Sequence, residues 1–168
     1  MNVELDSFLL TRYSEDKHKK LKDELENGVS QFNFIHQIGK RLENSKDNNR
    51  NIYQSAFVVE FINIPIGYLY ISNMVNDEVF LEYLILKEYR GKGYGSNIIR
   101  EITDYLFEKH NIRSIRLDID PSNRNSINVA QACGYIVDED EFESRNYIGR
   151  MQFVKENAFY VSKRRARK

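Results

Sequence analysis

Apolar residues change their spacing several times along this 168-residue chain, and each change marks an element. Phe8, Leu9 and Leu10 precede Arg12 as a short opening strand. Ser14, with a carboxylate at Asp16, caps a charged run from Glu15 to Asn27 in which Leu21 and Leu25 sit four apart, the pattern of a mostly exposed helix. Phe34, Ile35, Ile38 and Leu42 keep helical spacing and predict a second helix ending near Glu43. Ser45 to Asn51 is polar and reads as a loop. β-branched and aromatic residues then dominate Ile52 to Ile62 and Ile66 to Ile71, two strands joined by a tight turn at Asn63-Ile64-Pro65. Asn73, Asn76 and Asp77 make the next turn, and Val79 to Leu86 completes an antiparallel meander.

Helical spacing returns at Ile98, Ile99, Ile102, Tyr105 and Leu106, which predicts a helix from Ser96 to His110 with one face on the sheet. Ile115, Leu117 and Ile119 alternate with Arg116, Asp118 and Asp120, a strand reached by a helical crossover and therefore parallel to the Val79 strand. Pro121 and Ser122 stop it, Asn125 or Ser126 begins another helix, and Tyr135–Asp138 and Gly149–Val154 close the sheet around an acidic loop. Neither an internal repeat nor a second domain is visible; the reading is one domain over 1–161 and a basic tail over 162–168.

Between the Val79 strand and the Ser96 helix lies the stretch around which the chain is organised, Tyr89-Arg90-Gly91-Lys92-Gly93-Tyr94-Gly95-Ser96. Glycines at 91, 93 and 95 remove Cβ atoms where the backbone bends sharply and approaches something closely. Backbone amides at a helix N-terminus, with the positive dipole end behind them, make an anion site, and Arg90 and Lys92 add charge to it. No Gly-Lys-[Ser/Thr] is present, so this is not a nucleoside-triphosphate loop. Counting G-x-G-x-x-G from Gly91 or Gly93 lands on Ser96 or Ile98, so it is not a dinucleotide fingerprint either.

Arg90-Gly91-Lys92-Gly93-Tyr94-Gly95 does spell [RQ]-x-x-G-x-[GA] and resembles the pyrophosphate loop of the GNAT superfamily of acyl-CoA N-acyltransferases. Downstream, Asn123, Ser126, Gly134 and Tyr135 fall on that family's N-x-x-[AS]…G-[FY] positions. The resemblance implies a GNAT-like α/β (α+β) fold, a mixed, mostly antiparallel sheet of about six to seven strands flanked by about four helices. It implies acetyl-CoA as acyl donor with no metal, and transfer to a primary amine, on a protein or peptide N-terminus or on a small molecule. By residue-for-residue carry-over, Gly91 through Ser96 with Arg90 hold the pyrophosphate, and the backbone of Tyr83, Leu84 and Ile85 binds the pantetheine arm and polarises the thioester carbonyl. Asn123 and Ser126 would lie near the pantetheine and sulfur. The same likeness makes the region between the first strands, with Phe32, Phe34 or His36, one wall of the acceptor pocket.

Catalysis draws on less specific signals. Glu82 is a charge inside an apolar strand, costly unless it faces water or a polar site, and is the first choice of general base; Asp118 is the second. The family's usual acid, a Tyr four residues after the [AS] position, is Ala130 here. That departure resembles the branch of ribosomal-protein N-acetyltransferases, leaving Ser126 as the candidate acid or sulfur hydrogen-bond partner. It also motivates an alternative, a non-catalytic acyl-CoA-binding regulatory module.

Composition changes this picture little. With 25 basic and 25 acidic residues the chain has no global bias of the kind a dedicated nucleic-acid binder carries. Five of those cations lie in 163–168, leaving 20 against 25 elsewhere, so the tail is either solvated or a ribosome or RNA contact. The single Cys133 reads as a small buried residue in a reducing compartment, and His18 and His36 read as surface or groove-lining residues. No run approaches the ~20 apolar residues of a membrane span, so a cytoplasmic protein is expected, with closing strands able to pair in a homodimer.

Overall fold

The computed structural model describes residues 2–28, 37–138 and 151–160. It contains β1 (Val3–Glu4), β2 (Leu9–Thr11), α1 (Glu15–Gly28), α2 (Ile38–Ser45), β3 (Ser55–Phe61), β4 (Ile64–Ile71) and β5 (Glu78–Ile85). A 3-10 turn (Lys87–Tyr89), α3 (Tyr94–Lys109), β6 (Ser114–Ile119), α4 (Arg124–Ala132), β7 (Ile136–Val137) and β8 (Met151–Glu156) follow. The strands take the hydrogen-bonded order β1-β2-β3-β4-β5-β6-β8-β7. The expected mixed, mostly antiparallel architecture is present, with eight strands among the described residues where about six to seven were expected. The surplus strand is β1, whose two residues pair with Leu9 and Leu10 and are too few to show a period. The tail 163–168, the acidic loop and Phe32, Phe34 and His36 lie outside the described residues.

Contacts divide the chain into two compact units, Met1–Ser72 with Glu82–Gly95, and Asn73–Leu81 with Ser96–Lys168. In the first, α1 and α2 lay Leu21, Leu25, Ile38 and Leu42 on Ala56 and Val58 of β3 and Tyr68 of β4, with Tyr13 and Leu86. Burying such side chains contributes roughly 1.5–3 kcal/mol each, which is what holds two short, highly charged helices in place. His18 belongs to this buried stripe and is not a surface residue: it is 2% exposed and sits one turn before Leu21. Its Nδ1 accepts from the Ser14 N–H at 3.0 Å and its Nε2 faces Glu60 Oε1 at 3.0 Å, so the ring closes the start of α1 and ties it to β3.

The β3–β4 hairpin turns at Ile62-Asn63, both left-handed (φ 48° and 63°), one residue earlier than the Asn63-Ile64-Pro65 expected. Pro65 lies inside β4 opposite Glu60, at the bulge between Val59 and Glu60, where a residue that cannot donate to the ladder is tolerated. Asn76 and Asp77 (φ 52° and 60°) make the turn before β5, as the sequence indicated.

In the second unit β5 begins parallel to β6, with Glu78 opposite Ser114 and Leu81 opposite Leu117. β6 then pairs antiparallel with β8 along its whole length. Arg116 of β6 binds Glu78 at 2.7 Å and Asp138 at a shorter separation, a partly buried network that fixes this register. Ile98, Ile99, Ile102 and Leu106 of α3 are fully buried, and Thr103 meets the Tyr135 hydroxyl at 2.8 Å.

Candidate active site

β5 carries the chain from one unit into the other. Its parallel ladder with β6 ends at Leu81–Leu117, and Glu82, Tyr83, Leu84 and Ile85 continue within the first unit. There the Leu86 N–H bonds the Ile66 carbonyl at 2.8 Å. Gly67 of β4 is required at this crossing, because a Cβ on it would stand 2.4 Å from the Leu84 carbonyl oxygen and 3.0 Å from Ile85 Cδ1. The stretch whose backbone is expected to bind the pantetheine arm is thus seated, at the Leu84 carbonyl, against a residue with no side chain. An isolated Gly in a strand pattern signals such close approach, and Ile66-Gly67-Tyr68 carried that signal unread.

The 3-10 turn leads into the glycine stretch. Gly91 and Gly93 have φ of 76° and 84°, where only glycine is at ease, and a Cβ added to either would meet nothing within 4 Å. The bend is therefore dictated by backbone conformation and opens onto unfilled space. α3 starts at Tyr94, two residues before the expected Ser96, so Gly95 and Ser96 lie in its first turn, whose N–H groups have no intrahelical acceptor. Tyr94 fixes that start from outside the motif: its ring packs 5.0 Å from Phe61 and 6.3 Å from Phe8, centroid to centroid. Arg90 folds back, its Nε donating to the Ile85 carbonyl at 2.8 Å, which binds the turn to the end of β5. Lys92 is exposed, 5.9 Å above the Tyr89 ring.

Glu82 is not a lone carboxylate. Arg41 of α2 pairs with it, places its guanidinium 4.0 Å over the Tyr70 ring and reaches the Tyr68 hydroxyl at 3.5 Å. Burial lowers the Arg41 pKa, but the Tyr68 hydroxyl and the Glu82 charge outweigh it and hold the group above its ordinary value. Burial likewise pushes the Tyr68 phenol up, so this hydroxyl stays protonated. None of Arg41, Tyr68 and Tyr70 stood out in the sequence, since a charge on an amphipathic helix ordinarily faces water.

The second unit holds the other expected residues. Asp118 lies on β6 opposite Gln152, part-buried. Asn123 is the N-cap of α4, its side chain accepting from the Ser126 N–H at 3.2 Å. Ser126 occupies the third position of that helix, part-buried, and Ser96 starts the portion of α3 in this unit. Ala130, expected at the position of the family's Tyr, is fully buried and its carbonyl receives the Tyr135 N–H at 3.0 Å. Cys133 is buried, and burial pushes its thiol pKa up, as suits a packing residue. Among the described residues no group of three or more His, Cys, Asp or Glu could hold a metal, and no helix is long and apolar enough to cross a membrane.

Residues 13–136 match the family model of the acetyltransferase (GNAT) domain. The spermidine N(1)-acetyltransferase of Vibrio cholerae is 27% identical over 121 residues, 68% of this chain and 70% of that protein. A ribosomal-protein-serine acetyltransferase-like structure, also from Vibrio cholerae, superposes with a TM-score of 0.72 at 15% identity, covering 93% of this chain and 97% of the other. The microcin C7 self-immunity acetyltransferase, in complex with acetyl-CoA and AMP, does so with a TM-score of 0.68 at 17% identity, covering 90% and 93%.

Proposed function

The chain belongs to the GNAT acetyltransferase family, whose acyl donor is acetyl-CoA, and from that premise we propose that it acetylates a primary amine by direct attack in a ternary complex. The observation that carries this reading is the bend at Gly91 and Gly93, left-handed at both residues and open where a Cβ would stand, leading straight into α3. The diphosphate of coenzyme A would take the N–H groups of that bend and of the first helical turn, with Lys92 beside it.

Bound acetyl-CoA supplies an activated thioester carbonyl; the rest of the chemistry falls to the chain. The backbone of Tyr83 to Ile85, held by Gly67 against β4, orients the pantetheine and polarises the carbonyl. Glu82 takes the amine proton directly or through one water, and Asp118 is the second choice. Arg41 pairs with the carboxylate and fixes its position. Ser126 hydrogen-bonds the sulfur as the thiolate leaves; a hydroxyl is too weak an acid to do more. The acceptor is a small-molecule amine, a class that includes the polyamine named for the Vibrio relative, or a protein or peptide N-terminus.

Free-thiol release with a panel of amines tests the assignment. Turnover that falls about a hundredfold in Glu82→Gln, with acetyl-CoA binding retained, supports it. One observation favours a second reading, a non-catalytic acyl-CoA-binding module: Ala130 leaves no hydroxyl at the family's acid position. Acetyl-CoA binding without thiol release for any amine would establish that module instead.

A further inference from the structure

We propose that Arg41 sets which amines the site accepts: it occupies, from within the chain, the cation position that Glu82, Tyr68 and Tyr70 form together, and so selects acceptors with a single amine over polycationic ones. The inference rests on the reading that Glu82 faces the acceptor. Its basis is the composition of the cluster. A carboxylate, an aromatic face and a phenol oxygen are the groups that together recognise a cation. Here the cation is supplied by the chain, with its guanidinium carbon 4.0 Å from the Tyr70 centroid, its Nη1 3.5 Å from the Tyr68 hydroxyl, and the Glu82 carboxylate paired to it.

Arg41 is held there by the core. It is flanked on α2 by Ile38 and Leu42, both buried, so the packing that anchors the helix also delivers the guanidinium. Yet the side chains of Arg41 and Glu82 remain 31% and 28% exposed, which leaves the pair at the rim of the cluster within reach of a solute. A carboxylate has about four acceptor positions, and a guanidinium uses only some of them, so one neutral amine can still donate to Glu82. A chain of several ammonium groups meets a different site. Its additional charges find the carboxylate already neutralised, the Tyr70 face covered and a like charge alongside, and the repulsion strengthens as water is excluded.

The test is the ratio of kcat/KM for a linear triamine such as spermidine to that for a monoamine or a peptide N-terminus with no other cation. It is measured for the wild type, Arg41→Gln and Arg41→Lys, each checked by a thermal melt and for acetyl-CoA affinity. Arg41→Gln is expected to raise the ratio about tenfold or more, chiefly through a lower KM for the triamine. Arg41→Lys should stay within about threefold of the wild type, since an ammonium still pairs with Glu82 although it stacks less well. Should Arg41→Gln fail to fold, Arg41→Met retains the buried stem and gives the same comparison. An unchanged ratio, equal losses on both substrates, or a wild type that already prefers the triamine overturns the assignment while the transferase reading stands. A wild type that binds acetyl-CoA but acetylates no amine overturns both.

Discussion

The glycine bend and the Glu82 cluster belong to the same unit and are built on opposite plans. The bend is contiguous, Arg90 to Gly95, and works through backbone: two left-handed glycines, open space beside them and the N–H groups of a helix start. The cluster is assembled from residues 41, 68, 70 and 82 and works through side chains that meet only once α2 has packed on β3 and β4. A site made of main chain tolerates almost any side chain that leaves its conformation alone. A site made of side chains depends on the whole core that delivers them. Cofactor recognition and acceptor recognition should therefore fail independently under mutation.

Gly93→Val breaks the first plan and has the largest expected effect. A β-branched residue at φ 84° costs roughly 1–2 kcal/mol, and its side chain enters the space left for the ligand. At ~100 times its dissociation constant, coenzyme A should stabilise the wild type by about 2.7 kcal/mol, and that shift should vanish in the variant. Calorimetric affinity within about threefold of the wild type would remove the basis for placing the diphosphate here.

Glu82→Gln breaks the second plan alone. Turnover should drop about a hundredfold or more while acetyl-CoA affinity holds, because the bend does not use this side chain. Loss of the ion pair should lower stability by less than about 1 kcal/mol, since both partners are close to one third exposed. Parallel losses of cofactor affinity and turnover would show that the two regions are one.

The same contrast explains what could be read from the sequence. The left-handed bend at Gly91 and Gly93 and the helix after it are legible because conformation there is local, whereas the start at Tyr94 in place of Ser96, which takes Gly95 out of the bend and into α3, goes with packing on Phe61 and Phe8 that no local rule contains. Glu82 stood out as a charge in an apolar strand, but its partner Arg41 did not, because its helix shows Arg41 as one more polar residue beside Leu42. His18 was misplaced for the converse reason: in a run of lysines and carboxylates it looks solvated, although it shares a stripe with Leu21 and Leu25. Ala130, which the resemblance marks as a departure, is a fully buried core residue.

Gly67→Ala probes where the two plans touch, on the β4 backbone beside Leu84. Its Cβ at 2.4 Å from the Leu84 carbonyl must displace β5, and overpacking of this kind costs about 1–3 kcal/mol. Melting temperature should fall, and KM for acetyl-CoA should rise more than KM for the amine. An equal rise in both would mean that the displacement is transmitted to Glu82 as well.

The smallest effects are expected in α4, where one residue pair separates a backbone role from a side-chain role. Asn123 caps the helix through its side chain while Ser126 contributes its N–H to the same bond, so Asn123→Ala should cost about 1 kcal/mol of stability whereas Ser126→Ala leaves that cap in place. Activity should sort the other way. If the Ser126 hydroxyl meets the leaving sulfur, Ser126→Ala lowers kcat by about tenfold with acetyl-CoA affinity retained, and Asn123→Asp, which keeps the cap, leaves kcat near the wild-type value. A Ser126→Ala enzyme with full kcat would reduce α4 to a scaffold, and the thiolate would then leave toward water unaided.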